Sequence, residues 1–314
     1  MTMKTMRDAF LDGLTDRMQT DNSIFFLAAD FGAPALDKLR QSCPDRFINV
    51  GIAEQNLINI ASGLALEGFS VYAYAIAPFI SMRAFEQIRN NLSIMSKFHR
   101  LNVNMIGVGA GLSYPVSGPT HHCLEDISVM RTLPNIDVFC PSDWVLCDKF
   151  IDYSIDNKGP KYLRFDGAAL PPIYSDTKVP EINKGFYQLI QGKDTCVVST
   201  GYMTHTALSA VNSENTGAGL IDMFYLRHFD EQALIAALRN YKTIITVEEG
   251  FIDKAGLDCV ISNLLRKAGL NCKLITMGFK DNYVFELGPR DYLHEISGLS
   301  AAGIFKAIQA AADK

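Results

Sequence analysis

Residues Arg46-Phe47-Ile48-Asn49-Val50-Gly51-Ile52-Ala53-Glu54-Gln55 decide how the chain folds. Phe47–Val50 has the composition of a strand, and Gly51 permits a tight turn out of it. A helix is then predicted from Ile52 to Leu66, with Leu57, Ile58, Ala61, Leu64 and Ala65 on its apolar face. Glu54 precedes Leu57 and Ile58 by three and four residues, so it belongs to that face. A carboxylate carried onto a sheet loses its hydration and must find a cation or take up a proton. A second local reading makes Glu54 a first-turn acid that complements the helix dipole. Periodicity alone does not choose between the two.

The same alternation extends outward. Strands are predicted at Ile24–Ala29, Val71–Ile76, Val103–Val108, Ile136–Cys140 and Tyr162–Phe165, and again at Thr195–Ser199, Gly219–Met223, Thr243–Val247 and Lys273–Met277. Between them lie segments of helical period such as Ala233–Leu238 and Leu257–Leu265. Strand and helix in alternation imply an α/β fold in which each of two domains is a mostly parallel sheet covered by helices. The rhythm breaks at Asp166–Lys184, which holds Pro171, Pro172 and Pro180. The expected division is a first domain over 1–167, a linker over 168–184 and a second domain over 185–314.

The length of 314 residues suits two domains, and 48% apolar with 20% charged residues describes a chain with a sizeable core. A net charge of −5 offers no basic surface for nucleic acid and no polybasic membrane patch. The seven cysteines include no Cys-x-x-Cys and read as small buried hydrophobes of a reducing compartment. The N-terminal residues lack the apolar core of a signal peptide, and no apolar run reaches about 18 residues. A cytoplasmic protein is expected.

Three further words surround the opening stretch. Ala77-Pro78-Phe79-Ile80 is followed by Phe85-Glu86-Gln87; Ser117-Gly118-Pro119-Thr120-His121-His122 comes next; Met130-Arg131-Thr132-Leu133-Pro134-Asn135-Ile136 closes the series. In this order they resemble the pyrimidine-binding domain of the transketolase family, which includes the deoxyxylulose-phosphate synthases. Thr200-Gly201, Asp222-Met223 and Thr246-Val247-Glu248-Glu249-Gly250 are similar to that family's C-terminal domain. The resemblance implies a thiamine-diphosphate enzyme that moves a two-carbon ketol unit from a ketose to an aldehyde. Glu54 is then the acid that activates the cofactor. Phe79, Phe85 and Met82 are candidates to line the aminopyrimidine, and Asp30 is a candidate near the cofactor; plain core packing or turn capping is the alternative for each. His121 and His122 are candidates to meet substrate, although His122 stands where the family has Gln. Arg164 is a further substrate candidate. No metal ligands are expected in this chain.

The sequence has no Gly-Asp-Gly word of the kind that holds magnesium and diphosphate in whole transketolases. The resemblance thus implies the beta-type subunit of a split transketolase, with Mg2+ and diphosphate bound by a separate N-terminal-type subunit in an alpha2beta2 assembly. Family positions that grip a substrate phosphate fall on Gly109, Pro34 and Asp166-Gly167. Fewer cations and an added carboxylate suit a simple sugar phosphate poorly. Two other functions share the architecture: the beta subunit of a 2-oxo-acid dehydrogenase, and a non-catalytic scaffold subunit. The Gly-Pro-Thr-His word favours the transketolase over the first, and the joint presence of Glu54, Phe79 and His121 favours it over the second.

Overall fold

Short runs of branched and aromatic residues pair side by side, and the helical segments between them return the chain so that the pairs run parallel. A computed structural model describes residues 3–30, 32–175, 177–213 and 216–312. Met1 and Thr2 of the N-terminal reading, and Asp176 of the linker, lie outside the described residues.

The chain forms two compact units: Met1–Ala110 with Val129–Phe139 and Asp143–Val179, and Gly111–Ser128 with Cys140–Ser142 and Pro180–Lys314. In the first, six parallel strands lie in the order Phe47–Asn49, Ile24–Ala28, Ser70–Ile76, Asn102–Val108, Lys161–Phe165 and Asp137–Phe139. Ser70–Ile76 and Asn102–Val108 are buried along nearly their whole length, as expected of central strands covered on both faces. Helix Met6–Thr20 is capped by Thr5, whose hydroxyl accepts from the Asp8 N–H at 3.0 Å. It buries Phe10 against Tyr72 and Phe165, with ring centroids 5.8 and 5.2 Å away. The chain builds leftward from Ile24–Ala28 to Phe47–Asn49 and then rightward to Ser70–Ile76. The order therefore reverses beside Ile24–Ala28, and ligands of open α/β sheets bind outside the carboxyl ends at such a reversal.

The second unit is a five-stranded sheet in the order Lys273–Phe279, Thr243–Phe251, Thr195–Ser199, Gly219–Met223 and Phe186–Ile190. Only the last pairing is antiparallel. That edge strand carries partly exposed residues and finds its partner far along the chain, so local patterning does not reveal it. Among the described residues no helix is long and apolar enough to cross a membrane, and all seven cysteines are free.

Two buried charges mark the cores. In the first unit Lys161 donates to the Asn102 side-chain oxygen at 3.0 Å and to the Gly159 carbonyl at 2.8 Å. Burial, opposed in part by Asp137, pulls its ammonium down to about 7. In the second unit Glu249 accepts from Arg290 Nε at 2.8 Å and from His294 Nε2 at 2.6 Å, and Arg290 lies 3.5 Å over the Tyr202 ring. Burial opposes this charge, yet the Arg290 guanidinium and the His294 hydrogen bond outweigh it and hold the carboxyl well below the usual range.

Each charge sets a pH dependence. Between about pH 7 and 10.5 the unfolded chain holds a proton on Lys161 that the folded chain does not, so stability rises with pH there by at most about 1.4 kcal/mol per unit. Denaturant titrations of Lys161→Met across this window should lose that slope; an unchanged slope contradicts the assignment. Glu249 works in the opposite range: its stabilisation is present above the unfolded carboxyl value and is lost as pH falls toward the lower folded one. Arg290→Met strands the carboxylate and should cost about 3–5 kcal/mol in melts at pH 7, with acid unfolding moved to higher pH.

Candidate active site

Asp30, Asn49 and Gly51 cluster at the exits of two adjacent strands of the first unit. Asp30 follows Ile24–Ala28 in the left-handed region, at φ 51, which Asp tolerates better than most residues. Asn49 fixes it. Its amide nitrogen donates to Asp30 Oδ1 at 2.9 Å, and its oxygen accepts from the N–H groups of Asp30 and Gly51 at 3.2 and 3.0 Å. One side chain thus ties two adjacent strand exits together. Gly51, at φ 74, makes the turn that sends the chain into helix Glu54–Leu66. The helix starts two residues later than patterning suggests, with Ala53 supplying no side-chain cap.

Glu54 is the first helical residue and is 2% exposed. Of the two fates open to a carboxylate on that face, it meets the first. Arg83 Nη1 donates to its Oε2 at 2.6 Å. Arg83 comes from the turn after Ser70–Ile76, where Phe79–Arg83 winds as a π-helix rather than an α-helix. Such single-turn widenings are frequent at functional sites. The guanidinium lies 4.6 Å from the Phe79 ring centroid, within cation–π range. One planar cation therefore touches both the buried carboxylate and the aromatic face.

The other candidates of this unit fall into two groups. Phe85 is partly buried just beyond the π-helix, and Met82, within it, is 40% exposed. Arg164 is 4% exposed and is the second-to-last residue of strand Lys161–Phe165. Asp166, just past that strand, is also buried, and its Oδ1 accepts from the Ala168 N–H at 2.8 Å.

His121 and His122 belong to the second unit, in the segment Gly111–Ser128. That segment closes on itself where Gly111 bridges Cys123, and the Leu124 carbonyl accepts from the Phe251 N–H at 3.1 Å. Gly111 has φ 59, and a Cβ there would fall on the Glu249 carboxylate, so only glycine fits the approach. His121 is partly exposed, with Nδ1 3.0 Å from the Thr120 hydroxyl. His122 is 3% exposed, and its Nε2 donates to the Pro115 carbonyl at 3.3 Å. Burial lowers its pKa against that hydrogen bond, so the ring is neutral at pH 7. The two adjacent histidines thus differ: one is partly exposed and one is enclosed.

Arg83 is the residue that sequence reasoning passes over. Its only local signal is its place four residues after Phe79, and its carboxylate partner is remote in sequence. No group of three or more His, Cys, Asp or Glu among the described residues is placed to hold a metal ion.

The geometry has counterparts. The transketolase pyrimidine-binding domain matches residues 2–172, and the transketolase C-terminal domain matches residues 187–304. An apulose-4-phosphate transketolase subunit of Actinobacillus succinogenes is 33% identical over 83% of each chain. The 6-deoxy-6-sulfo-D-fructose transketolase subunit of Clostridium sp. (strain MSTE9) is 30% identical over 96% of this chain and 92% of its own. Among solved structures, a split-gene transketolase described as an inactive beta4 tetramer superposes with a TM-score of 0.86 at 30% identity over 98% of both chains. A transketolase from Pichia stipitis, at 20% identity, shares the fold with a TM-score of 0.81, and this chain spans 46% of it. With both domain types matched in order along its length, the chain belongs to the transketolase family.

Proposed function

We propose that this chain is the beta-type subunit of a split, thiamine-diphosphate-dependent transketolase, and that Glu54 governs the proton on the cofactor's pyrimidine. The observation that carries this reading is the buried Glu54 carboxylate, met by a planar N–H donor that also lies on Phe79. An aminopyrimidine is likewise a flat ring with nitrogen donors and acceptors, so the residues present fit that half of the cofactor. They do not supply the other half. Among the described residues no carboxylate and histidine cluster suits a metal, and the sequence has no Gly-Asp-Gly. Mg2+ and the diphosphate are proposed to lie on a separate N-terminal-type subunit, in an alpha2beta2 assembly. The subunit names of two relatives and the beta4 assembly of a third accord with that division.

When bound, thiamine diphosphate supplies the nucleophilic carbon and the electron sink for carbon–carbon cleavage. This chain's residues supply position and proton control. Glu54 holds a proton at a carboxyl oxygen and shares it with the pyrimidine ring nitrogen. Its fixed seat at a helix start, behind the strand–Gly51 turn, costs no reorganisation when the proton moves. Phe79 gives the ring an apolar face, with Phe85 and Met82 extending it. Asp30, locked by Asn49, borders the same carboxyl edge. His121 hydrogen-bonds a substrate hydroxyl or carries its proton. His122, neutral and enclosed, supports the loop from beneath and is a weaker candidate for substrate contact. Buried Arg164 is likewise a weaker one.

The substrate is proposed to be other than a simple sugar phosphate. Gly109 offers no side chain, Pro34 no hydroxyl, and Asp166 places a carboxylate after a strand exit. A single charge-assisted hydrogen bond to a phosphate is worth about 1.5–3 kcal/mol, or roughly tenfold to hundredfold in affinity. Without such donors at these positions, a terminal phosphate gains little from this chain.

Two assays follow. Glu54→Gln in the reconstituted pair should fold and assemble normally yet lose about 10²–10⁴-fold in ketol transfer; intact turnover would point instead to a scaffold subunit. The wild-type pair should also use xylulose 5-phosphate at least about tenfold less efficiently than an unphosphorylated or otherwise substituted ketose. Equal efficiency removes the substrate proposal, and decarboxylation of a 2-oxo acid by the pair would replace the transketolase reading with the dehydrogenase one.

A further inference from the structure

The Glu54–Arg83 pair has an uneven design. Glu54 is fixed: its side chain is 3% exposed and sits in the first turn of a long helix. Arg83 is not: its side chain is 44% exposed and stands at the end of the π-helix. Ala84, at φ −95 and ψ 14, breaks the helical path just after it. Among the described residues the guanidinium meets two groups, the Glu54 carboxylate and the face of Phe79. Those are the two groups assigned above to the pyrimidine. A group that hydrogen-bonds Glu54 and lies on Phe79 competes with Arg83 for both at once.

We infer that Arg83 is a movable plug of the pyrimidine site, which must withdraw toward solvent before a ring can seat on Glu54 and Phe79. This rests on the assignment of those two residues to the pyrimidine. The physical case is an exchange of like for like. The guanidinium is flat, cationic and donates in its plane, so it satisfies a buried carboxylate that no other described residue meets. Without it, Glu54 would be a desolvated and unpaired charge. The plug thus keeps the site's acid compatible with burial. Its half-exposed side chain already borders water, so it can leave without disturbing the core. Loading then exchanges one ion pair for the ring's contacts, and the affinity measured for the cofactor is reduced by the stability of the closed form.

The test follows Arg83 itself. In the reconstituted wild-type complex, the guanidinium N–H resonances of Arg83 are recorded by ¹⁵N NMR while thiamine diphosphate is titrated in, with Glu54→Ala as the reference for an unpaired guanidinium. The resonances should move to the reference position in step with cofactor saturation. Resonances that stay put while the cofactor saturates, with Glu54→Gln still abolishing turnover, overturn the plug and leave the functional reading standing. A saturating cofactor with Glu54→Gln fully active removes the functional reading, and the plug with it. Arg83→Met keeps the stem without the cation, and should bind thiamine diphosphate about tenfold more tightly and faster than wild type. Equal or weaker binding by that variant counts against the plug. The wild-type titration stands independently should the variant fail to fold.

Discussion

A carboxylate can be buried in a protein core only if something answers its charge, and the first unit is arranged around one that is answered by Arg83. The strand Phe47–Asn49 brings the chain to the carboxyl edge of the sheet, and Gly51 turns it into the helix. The apolar stripe of that helix then drags Glu54 beneath the surface with Leu57 and Ile58, both fully buried. The widened turn at Phe79–Arg83 brings a cation to meet it. These pieces converge near the point where strand order reverses. On the function proposed above, that convergence holds the carboxyl group in a fixed place for proton exchange.

Much of this is legible in the chain. The alternation of apolar strands and helical segments predicts both sheets, and most strand ends move by only a residue or two. Parallel central strands are insensitive to such detail, because both of their faces are buried. What local patterning cannot show is anything set by distant partners. Phe186–Ile190 is a strand because Gly219–Met223 lies beside it. Lys4–Thr5 pairs with Ala169–Leu170 for the same reason. The Glu54–Arg83 pair is of this kind too. The stripe tells that Glu54 is buried, and the physics tells that it needs a cation, but only the folded chain shows which one.

The histidines teach a related lesson. Adjacent in sequence, His121 is partly exposed and His122 is enclosed, and burial lowers the pKa of the second. Their segment, Gly111–Ser128, packs as part of the second unit, although it lies well before the proline-rich stretch that marks the sequence boundary. Gly111 approaches Glu249 closely because no side chain intervenes, and that carboxylate is itself held by Arg290 and His294. The loop bearing His121 is thus itself part of the second unit.

The central claim is that Glu54 controls the proton of the cofactor's pyrimidine, and proton exchange at the reactive carbon of thiamine diphosphate tests it most directly. In the reconstituted complex, hydrogen–deuterium exchange at that carbon, followed by quenched-flow NMR, should be accelerated far beyond the free cofactor. The acceleration should be lost in Glu54→Gln while the cofactor remains bound. Exchange as fast in Glu54→Gln as in wild type would contradict the account.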